Sequence, residues 1–311
     1  MLALLVGGGV YAFTTSSAAR RVEAQDTAYS NSFAAAMDHA ARHRWSEAIT
    51  GARGSLELLP PEDVARRGYV EERIAEWKAN KERSEAEATR RARDTSMRAR
   101  LRELRSSAVS GLDPRPIDDG FAQAFRDYGI DVTQGSAAQV GQAISRSSIA
   151  RELGEALDAW IDLRRANPVL KERDWRRLLE VAQEADGDPT RRRIRTELAR
   201  SGNQALAHLS SSGGILEQPA HTKSQLARAL LAVGDAPGAV RLLRRAQVRH
   251  PDDVWINLDL ARALQSLRPV RWAEASRYLR IALALRPESQ RIATMLGANL
   301  ALAREWNTAA A

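Results

Sequence analysis

No cysteine occurs in the 311 residues. Disulfides, thiolate metal sites and cysteine nucleophiles are therefore excluded. Aromatic residues make up only 5% of the chain, and no apolar/polar alternation persists for the length of a strand, which leaves no basis for a β-sheet. Lysine is nearly missing. Of the 47 basic residues only Lys78, Lys81, Lys171 and Lys223 are lysine, and the rest are arginine. The net charge of +8 is spread among interspersed acidic residues. A basic stripe interleaved with stacking aromatics is absent, so nucleic acid is not an expected partner. The H-E-x-x-H, G-x-S-x-G and phosphate-loop patterns are absent too, and no catalytic residue or cofactor is assigned.

What remains is a chain of helix formers, chiefly alanine, leucine and arginine. The expected fold is all-α. The first 19 residues carry no charge and precede Arg20-Arg21. Their strongly apolar part, Met1 to Phe13, is shorter than the ~20 residues a membrane-spanning helix needs. Three readings fit: a signal anchor, a signal peptide cleaved near Ala19, or the remaining half of a longer transmembrane helix. Membrane attachment through residues 1–19 is the expectation, with a secreted, periplasmic or cytoplasmic protein as alternatives. Residues 26–61 hold two short helical patterns ending at Pro60-Pro61. Residues 62–109 are laced with both charges and read as a long solvated helix. Residues 117–219 read as irregular helical hairpins. His39 and His43, four apart, could share a helix face and hold a metal, but no third ligand has suitable spacing, and a plain polar face is the simpler reading.

A fixed spacing organises the end of the chain. Ala239 precedes Pro251 by the same interval as Ala275 precedes Pro287 and Ala48 precedes Pro60. Each alanine opens an amphipathic run that the proline stops, because proline lacks an N–H and clashes with the preceding turn. Residues 220–253 and 254–289 are two such units, and 290–311 is part of a third. Within the first, Leu226, Ala227 and Leu230 precede Gly234, and Ala239, Leu243 and Ala246 follow it. This arrangement resembles the tetratricopeptide repeat, a helical hairpin of about 34 residues whose small residues sit where the two helices cross. The resemblance implies an α-solenoid with a concave, partner-binding groove. On that groove it would place Trp255, flanked by Arg228, Arg262 and Arg291, a set suited to an acidic or C-terminal carboxylate peptide. Asp259 stands where the family's chaperone-tail clamp has asparagine, so that clamp is not implied.

A second resemblance covers most of the chain. The phrases "AFRDYGIDV", "ALDAW", "WRRLLEVA", "LARALLAVGD" and "AVRLLRRAQ" occur in that order between about residues 101 and 302. They resemble the C-terminal helical region of large membrane-bound serine/threonine protein kinases of planctomycete-type bacteria. The kinase motifs themselves are missing: no G-x-G-x-x-G-x-V, no H-R-D and no D-F-G occurs. The resemblance therefore implies a non-catalytic accessory or scaffold region that binds protein or peptide partners. A fragment of a longer kinase, with its catalytic domain upstream, is the alternative.

Overall fold

The computed structural model describes residues 3–108 and 113–309, with side chains for residues 20–108 and 113–304. Among the described residues there are fourteen α-helices and two short 3-10 turns, and no strand. The chain divides into two compact units, Met1–Ala92 and Arg93–Ala311.

The first unit is a helical hairpin completed by the start of a third helix. Helix α1, Ala3–Ala41, and α2, Trp45–Glu57, cross through Ala36, Ala48 and Ala52, all fully buried. A side chain on Gly51 would sit 3.2 Å from the Ala36 Cβ, so small residues set the approach. Helix α3, Val64–Ala108, supplies Val70, Ile74 and Trp77 to the same core. From α3, Arg67 donates to the Leu56 and Leu59 carbonyls at 2.9 and 3.1 Å, bracing the end of α2 and the turn after it.

Two expectations change here. The apolar segment and the first pattern of residues 26–61 are one continuous helix, because no proline interrupts residues 3–41. Met1, Leu2 and the side chains up to residue 19 lie outside the described residues. Among the described residues, no helix is long and apolar enough to cross a membrane. His39 and His43 do not share a helix face either. His43 takes φ +58 just past the end of α1, which ends the helix between them. No cluster of three metal-ligating side chains exists among the described residues.

Helix α3 buries Val70, Ile74 and Trp77 near its start and Leu101 and Leu104 near its end, and is solvated between. Its middle carries i,i+4 pairs such as Glu87 with Arg91 at 2.9 Å. Beyond Arg93 it turns Met97, Leu101 and Leu104 into the second unit.

That unit holds two hydrophobic cores. The first is built by the end of α3 with α4 (Pro114–Asp127), α5 (Ala137–Ser145), α6 (Ala150–Ala166) and α7 (Trp175–Ala185). Trp160 lies at its centre, fully buried, stacked on Phe121 and Phe125 at 5.7 and 6.0 Å. Its Nε1 donates to Asp118, which is also fully buried and accepts from Arg164 at 2.6 Å and Arg173 at 2.6 Å. The Tyr128 hydroxyl donates to Asp94 at 2.7 Å and meets Ser147 at 2.9 Å. The "AFRDYGIDV" phrase thus works here as a structural lock.

The second core joins α8 (Pro189–Ala199), α9 (Asn203–Ser211), α10 (Ala220–Ala232), α11 (Ala236–Arg249), α12 (Val254–Gln265), α13 (Trp272–Leu285) and α14 (Gln290–Ala309). Helices α10 and α11 form one hairpin, α12 and α13 the next. Ala227, Ala239, Ala246, Ala261, Ala275 and Ala282 are all essentially inaccessible. Gly234 takes φ +86 in the first hairpin turn, a conformation that costs glycine nothing. At the break between hairpins, the Asp253 side chain accepts the Ile256 amide at 3.0 Å and caps α12. Asn257 Nδ2 holds the Pro251 and Asp253 carbonyls at 3.0 and 2.8 Å. Helix α14 packs as a further first helix, and Asn299 joins Gln265, Ser276 and the Trp272 carbonyl. The described residues are all-α, and α10–α13 of the second unit stack as successive helical hairpins with alanines at their crossings.

Candidate functional site

Between the two cores of the second unit lies a layer of charge. Glu155, Asp158 and Asp162 recur at helical spacing on one face of α6. Each meets an arginine from another helix. Glu155 accepts from Arg105 Nη1 at 2.6 Å. Asp158 accepts from Arg195 Nε and Nη2 at 2.7 and 2.9 Å. Asp162 accepts from Arg228 Nε at 2.8 Å, and Arg228 reaches Asp259 through Nη1 at 3.1 Å. Burial opposes the charge on Arg228, but Asp259, Asp162 and Asp158 outweigh it and hold its pKa above the usual value.

This layer decides what the sequence-predicted groove residues do. Arg228 has only 10% of its side chain exposed and two carboxylates of its own, so it is a structural cation. The sequence could not show this, because Asp162 lies 66 residues away. Trp255 is half-buried at the start of α12. Its flanking guanidiniums are Arg105, 4.0 Å from the ring centroid, and Arg286, at 4.8 Å. Arg262 shares a small cavity with Arg228 and Trp255 and forms no ion pair among the described residues. Arg291, at the start of α14, lines none of the cavities around Trp255. The structure thus brings Arg228, Trp255 and Arg262 together and leaves Arg291 apart.

Sequence reasoning missed the end of α3. Leu101, Leu104, Arg105, Ser106 and Ser107 are buried, and Arg105 and Ala108 line the same cavity as Asp259 and Arg262. The chain's own helix therefore fills part of the channel expected to stay open. The available signal was the fading of charge in "LRSSA" at the end of an otherwise polar helix.

What stays open is a cleft of about 610 Å³ at one end of the channel. Arg98, Arg102 and Arg105 of α3 form one wall, Arg151, Glu152 and Glu155 of α6 another. The first residues of α10, with His221, and of α12, with Trp255, complete it. The positive ends of two helix dipoles therefore line the cleft. Arg98 pairs with Glu152 at 3.0 Å. Arg102 is exposed and Arg286 is half-buried, and neither pairs with a carboxylate among the described residues. Burial, then the charges of Arg102 and Arg105, lower the Arg286 pKa. Burial lowers that of His221 as well.

Residues 221–263, from α10 to α12, match the tetratricopeptide repeat family model. That stretch, one hairpin and the start of the next, carries the tetratricopeptide pattern. No curated protein matches it. Among solved structures, the TPR2AB-domain:pHSP90-complex of yeast Sti1 is 16% identical, with 88% of this chain and 97% of that chain covered. The TM-score is 0.27, so the two chains do not superpose as wholes.

Proposed function

We propose that the protein is a non-catalytic interaction scaffold that captures an acidic segment of a partner polypeptide in the cleft at the starts of α10 and α12. The observation that carries this reading is two guanidiniums without a carboxylate partner among the described residues, Arg102 in the cleft lining and Arg286 at 4.8 Å from the Trp255 ring centroid at the start of α12. Arginine forks bind carboxylates with charge-assisted hydrogen bonds, and a helix start adds backbone donors. Arg262 serves the far side of the channel, while Arg228 holds the wall in place. Fluorescence anisotropy with degenerate short peptides tests this. Pools rich in Asp and Glu bind, and pools with Lys in those positions do not. Raising NaCl from about 50 to about 300 mM weakens the binding, since part of the attraction is screened. Equal binding of both pools refutes the reading.

The ordered phrases shared with planctomycete-type kinases support a wider proposal. The chain acts as the accessory region of a bacterial serine/threonine kinase, with residues 1–19 as its membrane tether. The in-frame DNA upstream of the Met1 codon tests it. A frame encoding a Gly-rich loop, H-R-D and D-F-G supports the kinase reading, and a nearby stop codon refutes it.

A further inference from the structure

The balance of charge in the cleft narrows the chemistry of its occupant. Arg105 and Arg286 lie over the Trp255 ring, at 4.0 and 4.8 Å from its centroid, and Arg102 lines the cleft beside it. One carboxylate, Glu155, pairs with this trio, through Arg105. Glu152 is taken by Arg98, and an Asp253 oxygen is taken by the Ile256 amide. Glu288 and Asp253 soften the charge on Arg286 from a distance, but neither forms an ion pair with it among the described residues. Two guanidiniums, Arg102 and the half-buried Arg286, therefore form no ion pair among the described residues. The amides of Val254 and Trp255, in the first turn of α12, also have no acceptor among the described residues.

A side-chain carboxylate brings one negative charge and two oxygens. A phosphate monoester brings about −1.5 to −2 and three strong acceptor oxygens. With its third oxygen and extra charge, the second can engage two arginine forks and a helix start at once. Resting on the acidic-segment reading above, we propose that the bound partner segment carries a phosphorylated side chain, seated between Arg102 and Arg286 at the start of α12. The buried Arg105, fixed by Glu155, holds one side of the Trp255 ring, and Arg286 borders it as well.

The test uses the full chain and three degenerate peptide pools that differ only in a fixed central Ser, Asp or phosphoserine. Anisotropy is expected to show the phosphoserine pool binding about tenfold tighter than the Asp pool, as one added charge-assisted contact implies. The exposed Arg102→Gln change removes most of that preference. Arg291→Gln, away from the cleft, keeps it. Equal affinities for the phosphoserine and Asp pools overturn the phosphate assignment and leave the acidic cleft standing. Equal affinities for all three pools, or no binding, overturn both readings. Inorganic phosphate that binds the chain as tightly as the phosphoserine pool assigns the site to the free anion and overturns the peptide proposal.

Discussion

The Arg195 guanidinium grips Asp158 through both Nε and Nη2, with 2% and 8% of the two side chains exposed. Arg195 stands on α8, which builds the second core, and Asp158 on α6, which builds the first, so the pair ties the two cores together. Arg195→Met strands the Asp158 charge in the interior and is expected to cost about 3–5 kcal/mol. Adding Asp158→Leu removes the stranded charge, so the double variant is expected to recover most of that loss. Urea denaturation followed by circular dichroism measures both. Equal stability of the single and double variants would mean the pair is solvated.

Asp186 makes the same layer sensitive to acid. Burial raises its pKa, but hydrogen bonds from Arg191 and the Asp188 amide, with the charges of Arg195 and Arg191, prevail and hold it at about 2. A carboxylate depressed in the folded state stabilises the fold above its unfolded pKa, near 3.8, and the gain is lost as pH falls toward 2. Solvent screening at this partly exposed group leaves an effect on the order of 1–2 kcal/mol. Asp186→Asn is therefore expected to lower stability at neutral pH and to flatten the loss between about pH 4 and pH 2. Denaturation midpoints across that range check this, and an unchanged slope contradicts it.

The repeats were legible in the sequence because sterics leave them few options. Ala239, Ala246, Ala275 and Ala282 sit where helices cross, and Pro251 and Pro287 stop helices, so their spacing is a direct print of the hairpin. The solvated middle of α3 was legible from its charge. The cleft was only partly legible. Arg228 and Arg262 look alike in the sequence, yet Asp162 and Asp259 neutralise the first and not the second. Arg105 and Arg286 reach Trp255 from 150 residues upstream and 31 downstream, and no local pattern encodes such pairings.

Two helical glycines should respond in opposite ways to alanine. A Cβ on Gly141 in α5 would lie 2.4 Å from the Glu184 Cβ and 2.8 Å from its backbone carbonyl carbon in α7. Gly141→Ala must push the two helices apart, at a cost of about 1–3 kcal/mol. Gly154 in α6 has open space, so Gly154→Ala is expected to be neutral or to stabilise by about 0.5–1 kcal/mol. Thermal unfolding of the two variants, with matching signs, would refute the packing described for α5 and α7.

Trp160 combines packing with a polar tether, and the two contributions separate by substitution. Trp160→Phe keeps most of the stack on Phe121 and Phe125 but loses the bond to Asp118, which still accepts from Arg164 and Arg173. Its expected cost is about 1–2 kcal/mol. Trp160→Ala empties the centre of the core and is expected to cost about 3–5 kcal/mol. Equal losses in denaturation would show that the tether, and not the ring, holds this region.

The central claim is that an acidic segment binds where α12 begins. Hydrogen exchange of the full chain, with and without a saturating Asp/Glu-rich peptide pool, reads the position directly. Slower exchange is expected in residues 98–105 of α3 and in the first turns of α10 and α12, with α11 and α13 unchanged. Protection confined to α11 and α13, or no protection anywhere, would contradict the account.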